Sequence, residues 1–451
     1  MKDFLCSKLR EVKCRLKHPA WWRQYQESLT HDKWSVEQLA EYNWNKRLAI
    51  LAFAYENSPY YEKLYRSVGL EPGDVKTEED WQHVPILTRE ALRENFEVLK
   101  IRGLEHRGHY KLWTTGGSTG QPSKVLKDDG FSSTALNWRA GDWSEIGPGG
   151  NSATIMRTHR ASWKGKLRHF AATFPNVNLM LDAGNMTDEN LDLFLTQWRK
   201  YRPRTVSSYV GSIHQIALRC LRDKIDLPAP QAISTTAAPL PMTVRNDLMR
   251  AFRCPVFDSY VATEAHPMAN QCRCQAAAGR PYLHIHSDYR HLEFADANGL
   301  AVPADEFGDI LVTDLEDRVF PIVRYQIGDR GRAIAGTCEC GRPYPLMDSV
   351  QGRVGYKIHL SNGVLYGGWA MLFEKYPDAV HGFKIHQYAD KSVKLTVVKN
   401  HEYADADKEI ATVVEGMTFQ LGGGIPVMVE EVDFLPHDRG KVKFITSDIK
   451  E

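Results

Sequence analysis

The sequence predicts an α/β protein in two parts: a large, multi-layer N-terminal domain over residues 1–351 and a small α+β C-terminal domain over residues 352–451. Three observations carry this expectation. At 451 residues the chain exceeds what one hydrophobic core usually organises. Between residues 105 and 350, short apolar runs alternate with helix-period stretches, the pattern of helices layered on a substantially parallel sheet. Beyond Gly352-Arg353 the alternation gives way to strand–helix–strand, which places the boundary there.

Taken in order, residues 1 to about 100 read as mainly helical, with apolar periodicity from Trp34 through Tyr65 and from Arg89 to Leu99, punctuated by Pro59 and Pro85. The α/β region then predicts strands at Ser152–Met156, Thr205–Tyr209, Gln231–Thr235 and Pro255–Asp258. Helices are expected at Glu189–Tyr201, Ile213–Leu221 and Thr243–Phe252. The C-terminal unit predicts a strand at Ser392–Val398, a helix at Ala404–Met417 and a strand at Ile425–Val429. Internal repeats and low-complexity tracts are absent.

Composition narrows the function classes. A formal charge of +1 offers no bulk attraction to nucleic acid, and no apolar run approaches the roughly 18 residues that span a bilayer. The first residues lack the apolar core of a signal peptide, so a cytoplasmic location is the default expectation. Leu5, Leu9, Val12 and Leu16 recur at helical spacing among Lys2, Lys8, Arg10, Lys13, Arg15 and Lys17. Such a helix can lie on an anionic membrane. Packing of its apolar stripe on the protein itself is the commoner outcome and the one expected here.

The segment Thr114-Thr115-Gly116-Gly117-Ser118-Thr119-Gly120-Gln121-Pro122-Ser123-Lys124 is the most informative. Glycines let amide N–H groups approach an anion closely, hydroxyls add donors, and consecutive turn amides can form an anion nest. A phosphate chain suits such a loop; the alternative is a plain Gly/Ser surface loop. A Walker loop is excluded because neither Gly116 nor Gly117 has a glycine five residues on. The dinucleotide fingerprint fails on the glycine spacing. The flanks Lys111-Leu112-Trp113 and Lys124-Val125-Leu126-Lys127 read as strands rather than a helix start, so amides, hydroxyls and Lys124 would have to hold the anion.

Of eight cysteines, Cys6, Cys14, Cys220 and Cys254 are isolated and read as buried thiols. Cys272-Arg273-Cys274 and Cys338-Glu339-Cys340 form two C-x-C pairs, which in a reducing compartment suggest metal rather than disulfide.

Four further segments follow the loop: Ser234 to Pro241, Asp258-Ser259-Tyr260-Val261-Ala262-Thr263-Glu264, Arg324-Tyr325-Gln326-Ile327-Gly328-Asp329 and Asp438-Arg439-Gly440-Lys441-Val442-Lys443. In this order and spacing the chain resembles the adenylate-forming superfamily, in particular its phenylacetate-CoA ligase and capsular-polysaccharide-biosynthesis branch. Ser58-Pro59-Tyr60-Tyr61 and Pro85-Ile86-Leu87-Thr88-Arg89 extend the resemblance upstream.

The resemblance implies a mobile C-terminal lid and ATP-dependent adenylation of an aryl or medium acyl carboxylic acid, then transfer to a thiol, CoA in the first instance. It implies that Thr115, Gly116, Gly117, Ser118, Thr119 and Gly120, with Lys124 nearby, hold the outer phosphates of ATP. Tyr260 would stack on adenine, Thr263 and Asp258 would line the nucleotide, and Glu264 would hold Mg²⁺. Ala237, Ala238 and Pro239 would contact adenine, and Asp329 would take the ribose hydroxyls. Lys441 would stabilise charge during adenylation, with Lys443 as competitor, and Thr119 and Glu264 would share in catalysis. Arg353 lies at the hinge, where this chain has Gly352-Arg353-Val354-Gly355 in place of the family's G-R-x-D.

That departure leaves a carrier protein, amine or hydroxyl open as acceptor, and with it a nucleotide-binding protein without catalysis. Tyr209, Val210, Gly211 and the Trp138 region are placed at the acyl pocket by position. Cys272, His284, Cys338 and Cys340 resemble a structural Zn²⁺ site of this branch, with Cys274 and His286 as alternative ligands. A homodimer is compatible with all of this.

Overall fold

In this computed structural model the described residues are 9, 11–13, 15–16, 18–106, 110–114, 123–128, 133–147, 149–156, 169, 171, 173–350, 358–359, 365–366, 373, 376, 378–421, 424–435 and 445–449. They form two compact units. One comprises residues 1–10, 149–258 and 351–451; the other comprises 11–148 and 259–350.

Along the chain, the helices Pro19–His31, Val36–Asn57 and Pro59–Ser67 come first. Ser35 and Gln38 form a reciprocal capping box at the start of the second. Pro59 opens the third, because proline at a first helical position loses no intrahelical bond. The antiparallel hairpin β1 (Tyr110–Thr114) and β2 (Lys124–Asp128) follows, then the helix Ser133–Trp143.

The next run holds strands β3 (Ser152–Met156), β4 (Asn178–Asp182), β5 (Thr205–Tyr209), β6 (Ala232–Thr236) and β7 (Val256–Tyr260). Helices Asp188–Tyr201, Val210–Arg222 and Met242–Phe252 connect β4 to β5, β5 to β6 and β6 to β7. Pairing is parallel in the order β4-β3-β5-β6-β7. Each crossover helix buries one face on the strands. Trp198 is fully buried and stacks on Phe252 at 5.5 Å, while Ile155, Ile213, Ile233 and Leu248 fill the layer between. A buried side chain of this size contributes about 1.5–3 kcal/mol, which offsets the low intrinsic stability of such short helices.

After β7 the pattern changes. Strands β8 (Ala269–Asn270), β9 (Leu283–Ile285), β13 (Ala333–Ile334) and β14 (Leu346–Met347) pair antiparallel in the order β13-β14-β9-β8-β7. A second antiparallel sheet is built from β10 (Arg290–Ala295), β11 (Gly308–Asp314) and β12 (Tyr325–Gly331). The expectation of a substantially parallel sheet through residue 350 therefore holds only to β7. Beyond it no crossover helix of the length a parallel connection requires separates the strands. Tyr61, Tyr65, Trp81, Phe320 and Tyr325 are buried together, so the N-terminal helices cover this antiparallel layer.

The short pair β15 (Ile358–His359) and β16 (Leu365–Tyr366) precedes a small α+β group. There β17 (Val380–Gln387), β18 (Val393–Lys399), β19 (Val427–Glu431) and β20 (Ile445–Ser447) align in the order β19-β18-β17-β20 around the helix Ala406–Gln420. Ile385, Leu395, Val397, Met417 and Leu421 form its core. Among the described residues no helix is long and apolar enough to cross a membrane. The expected burial of the N-terminal apolar stripe is not found: Leu9, Val12 and Leu16 are all exposed. Cys220 and Cys254 are buried, and burial raises their thiols to about 11 and about 12.

Asp247, on the Met242–Phe252 helix, accepts hydrogen bonds at 2.9 Å from His214 Nε2 and from His381 Nδ1, the latter on β17. Burial opposes its ionisation, but the two imidazole bonds prevail and bring the carboxyl down to about 2. Because the unfolded chain titrates near about 3.9, this stabilisation is complete above roughly pH 4 and fades as pH falls towards about 2. Asp247→Asn is expected to lower unfolding stability by about 1–3 kcal/mol at pH 7. The gap to wild type should shrink in denaturant titrations run below pH 4; a gap independent of pH would contradict the assignment.

Candidate functional site

Lys124 begins β2 and pairs with Thr114 at the end of β1, so the two strands carry the Gly-rich segment between them. Val125 and Leu126 are buried and anchor the hairpin. Both flanks are strands, as their composition predicts. Thr115, Gly116, Gly117, Ser118, Thr119 and Gly120 lie outside the described residues, as do Arg353 and Lys441.

Several of the remaining candidates converge in the unit formed by residues 11–148 and 259–350. Tyr260 ends β7 and donates its hydroxyl proton to Asp329 Oδ2 at 2.9 Å. Asp329 lies on β12 directly after Gly328, whose φ of +83° is a conformation L side chains rarely adopt. Arg89 Nη2 donates to the Ile327 carbonyl at 2.7 Å and braces the same strand. Glu264 follows Thr263 in the turn after β7; its carboxylate is buried and accepts from Tyr325 Oη at 3.2 Å.

The turn bearing Glu264 is held by buried charges the sequence reading did not single out. Lys127 Nζ donates to the Glu264 carbonyl, and Arg290 Nη2 donates to the His266 carbonyl at 3.0 Å. Both cations converge on Asp314 at the end of β11: Lys127 at 3.0 Å and Arg290 at 2.8 Å. Burial would raise the Asp314 carboxyl, yet Arg290 and then Lys127 pull it down to about 2. Asp317, 3.4 Å from Lys127, is raised by burial, with the Asp314 charge adding to it. His266 is pushed down to about 4 by burial and the Arg290 charge, so its imidazole is neutral at pH 7.

The other unit places a second group at the carboxyl ends of parallel strands, where open α/β sheets bind ligands. Tyr209 ends β5 and leads into Val210 and Gly211, which open the next helix. Ala237 follows β6 with a φ of +74°, a costly conformation for a residue with a Cβ, and Ala238 and Pro239 follow. Asp258, on β7, is buried and accepts from Thr235 Oγ1 at 3.4 Å. Trp138 belongs to the unit of residues 11–148 and 259–350, where its ring lies 5.6 Å from Tyr25 and 6.2 Å from Trp22.

Cys272, His284, Cys338 and Cys340 bring their ligand atoms within 4.8 Å of one another. Cys272 Sγ and Cys338 Sγ are 3.7 Å apart, and Cys340 Sγ lies 3.4 Å from His284 Nε2. Tetrahedral zinc bonds of about 2.3 Å to sulfur and 2.0 Å to nitrogen give ligand–ligand edges of about 3.5–3.8 Å, which these two distances match, and three thiols with one imidazole are a donor set suited to Zn²⁺. His284 Nδ1 faces the Tyr344 carbonyl at 3.4 Å, which orients Nε2 into the cluster. The alternatives fall elsewhere: Cys274 is exposed, and His286 bonds Asn270 Oδ1 at 2.7 Å and Arg139 Nη2 at 2.5 Å. Arg139 in turn makes a fully buried ion pair with Asp288, which His31 Nδ1 also bonds at 2.8 Å.

No family model matches the chain. The protein CapK of Staphylococcus aureus is 26% identical over 289 residues, covering 61% of this chain and 58% of that protein. The chain thus spans less than two thirds of that relative. Phenylacetate-coenzyme A ligase of Escherichia coli K12 is 22% identical over 337 residues, covering 71% of this chain and 72% of that one. Among solved structures, a 2-hydroxyisobutyryl-CoA ligase in the postadenylation state superposes with a TM-score of 0.72 at 16% identity, covering 92% of this chain and 91% of that one. The chain is homologous to proteins named phenylacetate-CoA ligase and CapK, and its fold is that of the adenylate-forming enzymes.

Arg139→Leu strands the Asp288 carboxylate and is expected to cost about 3–5 kcal/mol in urea unfolding. Arg139→Leu/Asp288→Asn should recover much of that loss. Equal losses in the single and double variants would show that the stranded charge is not the cause.

Proposed function

We propose that this chain is an AMP-forming acid–thiol ligase that adenylates an aryl or medium acyl carboxylic acid and passes the acyl group to a thiol, CoA being the proposed acceptor. The observation that carries the reading is the Tyr260–Asp329 bond at 2.9 Å beside the buried Glu264, in a chain with the adenylate-forming fold. Tyr260 would present a ring for adenine, the Asp329 carboxylate would accept from ribose hydroxyls, and Glu264 would supply the hard carboxylate oxygen that Mg²⁺ prefers.

In the first step a carboxylate oxygen attacks the α-phosphorus of ATP and pyrophosphate departs, leaving an acyl-adenylate. The Gly-rich segment 115–120 and Lys124 would hold the outer phosphates, with Thr119 among the contacts. Asp258, Thr263 and Ala237 to Pro239 would line the nucleotide, and Lys441 would meet the developing charge on the transferring phosphorus. In the second step a thiolate attacks the acyl carbonyl and AMP leaves. Residues 352–451 would act as the moving lid, with Arg353 in the hinge. Positioning and charge neutralisation supply most of the rate. The hinge sequence Gly352-Arg353-Val354-Gly355 leaves open a second acceptor reading, in which a carrier-protein thiol, amine or hydroxyl replaces CoA.

Cys272, His284, Cys338 and Cys340 would hold a Zn²⁺ ion, which supplies a cross-link between the turn after β8, β9 and the segment before β14. Four protein donors leave no open position, so the role is structural. Elemental analysis should find about one zinc per chain, falling to near none in Cys338→Ser, with activity lost in step with folding. Full folding and activity without metal would contradict this.

Acid-dependent exchange of pyrophosphate into ATP, run across a panel of aryl and acyl acids, should detect turnover with at least one acid. Lys441→Ala should slow it by roughly 10²–10³-fold. ATP binding without exchange for any acid would overturn the enzymatic reading. Release of AMP on addition of CoA, with no carrier protein present, would decide the acceptor.

A further inference from the structure

We infer that Lys127 is a positioning residue that sets the distance between the arm carrying the Gly-rich segment and the turn carrying Glu264. This rests on the adenylating reading above and adds to it a residue outside the resemblance.

The geometry is specific. β1 and β2 pair over five registered positions from Tyr110↔Asp128 to Thr114↔Lys124, the two strands that flank the Gly-rich segment in the sequence. Lys127 sits three residues along β2 from Lys124, opposite Lys111. Its ammonium has three N–H donors and meets three oxygens: Asp314 Oδ2 at 3.0 Å, Asp317 Oδ2 at 3.4 Å and the Glu264 carbonyl. A simple counter-charge would not need the third contact, because Arg290 already pairs with Asp314 at 2.8 Å. The carbonyl bond fixes the main chain from which the Glu264 carboxylate projects, and Tyr325 fixes the other end of that side chain at 3.2 Å.

The chemistry makes the spacing matter. Glu264 reaches ATP through a cation shared with the phosphates, whereas the Gly-rich segment reaches the same phosphates directly. A shift of one relative to the other misaligns the outer phosphates without touching the acid. A compact ammonium can serve three oxygens that converge at one point; the planar guanidinium fork of arginine cannot.

The test uses the full-length chain with Lys127→Met/Asp317→Asn, a pair chosen so that no second carboxylate is left stranded. Calorimetric titration with MgATP and pyrophosphate exchange are both read. The expected result is an unfolding midpoint within about 4 °C of wild type. The KM for ATP and the half-saturating Mg²⁺ should rise roughly tenfold to hundredfold. The KM for the acid should stay within about twofold. Lys127→Arg, which keeps the charge, should remain impaired towards MgATP, and it carries the comparison alone should the double variant not fold. MgATP parameters within about twofold of wild type in the double variant, or full rescue by arginine, would overturn the proposal. Failure of the adenylating reading looks different: wild type itself shows no acid-dependent exchange, while the Mg²⁺-dependent ATP affinities of wild type and variants still decide the role of Lys127.

Discussion

The buried carboxylate of Asp314 is the constraint on which the arrangement of the candidate site depends. An ionised group at the end of β11 has almost no water to solvate it, and Lys127, Arg290 and the main-chain N–H groups of Glu316 and Asp317 hold it there. Each cation also donates to a main-chain carbonyl of the turn, Lys127 to Glu264 and Arg290 to His266. One carboxylate therefore organises two cations, and they organise the turn that presents Glu264. A buried pair of this kind adds little net stability over an apolar core of equal volume, but losing one partner is costly. Its value lies in fixing one geometry.

The same device recurs beside the cysteine cluster. Arg139 and Asp288 are fully buried, and Tyr344, His286 and His31 bond to them. Tyr344 belongs to both groups, since its carbonyl orients His284 while its hydroxyl joins the Arg139 network. The Cys272–His284–Cys338–Cys340 donors are thus supported from behind by a rigid polar core. An arrangement of short strands such as β8, β9, β13 and β14, none longer than three residues, needs such cross-links.

The parallel half of the fold was legible in the sequence because periodicity there reports burial directly. Ser152–Met156 and Thr205–Tyr209 match the strands residue for residue, and the helices to either side differ by one to three residues at their ends. β4 was less legible because the apolar run Leu179-Met180-Leu181 lacks β-branched residues and does not separate from a helix fragment. The short antiparallel strands β8, β9, β13 and β14 were not legible because two- and three-residue strands have no period to read. Tyr260, Glu264 and Asp329 could be named from motif order, since their spacing along the chain survives folding. Lys127, Arg290 and Asp314 could not, because what makes them matter is a convergence across 187 residues of chain that no local pattern encodes. The local signals are weak: Lys127 follows the buried pair Val125 and Leu126, and Arg290 is a buried charge at the start of β10.

The proposed chemistry makes one commitment above all others: the oxygen that attacks the α-phosphorus comes from the acid. If an acid identified by exchange is supplied with both carboxylate oxygens as ¹⁸O, and the reaction is carried through to the acceptor, the acyl–oxygen bond breaks when the acceptor attacks. The nucleotide product should then be AMP carrying one ¹⁸O on its phosphate, read by mass spectrometry. Unlabelled AMP, or ADP in place of AMP, would contradict an acyl-adenylate intermediate and with it the reading of Tyr260, Glu264 and Asp329 as its nucleotide site.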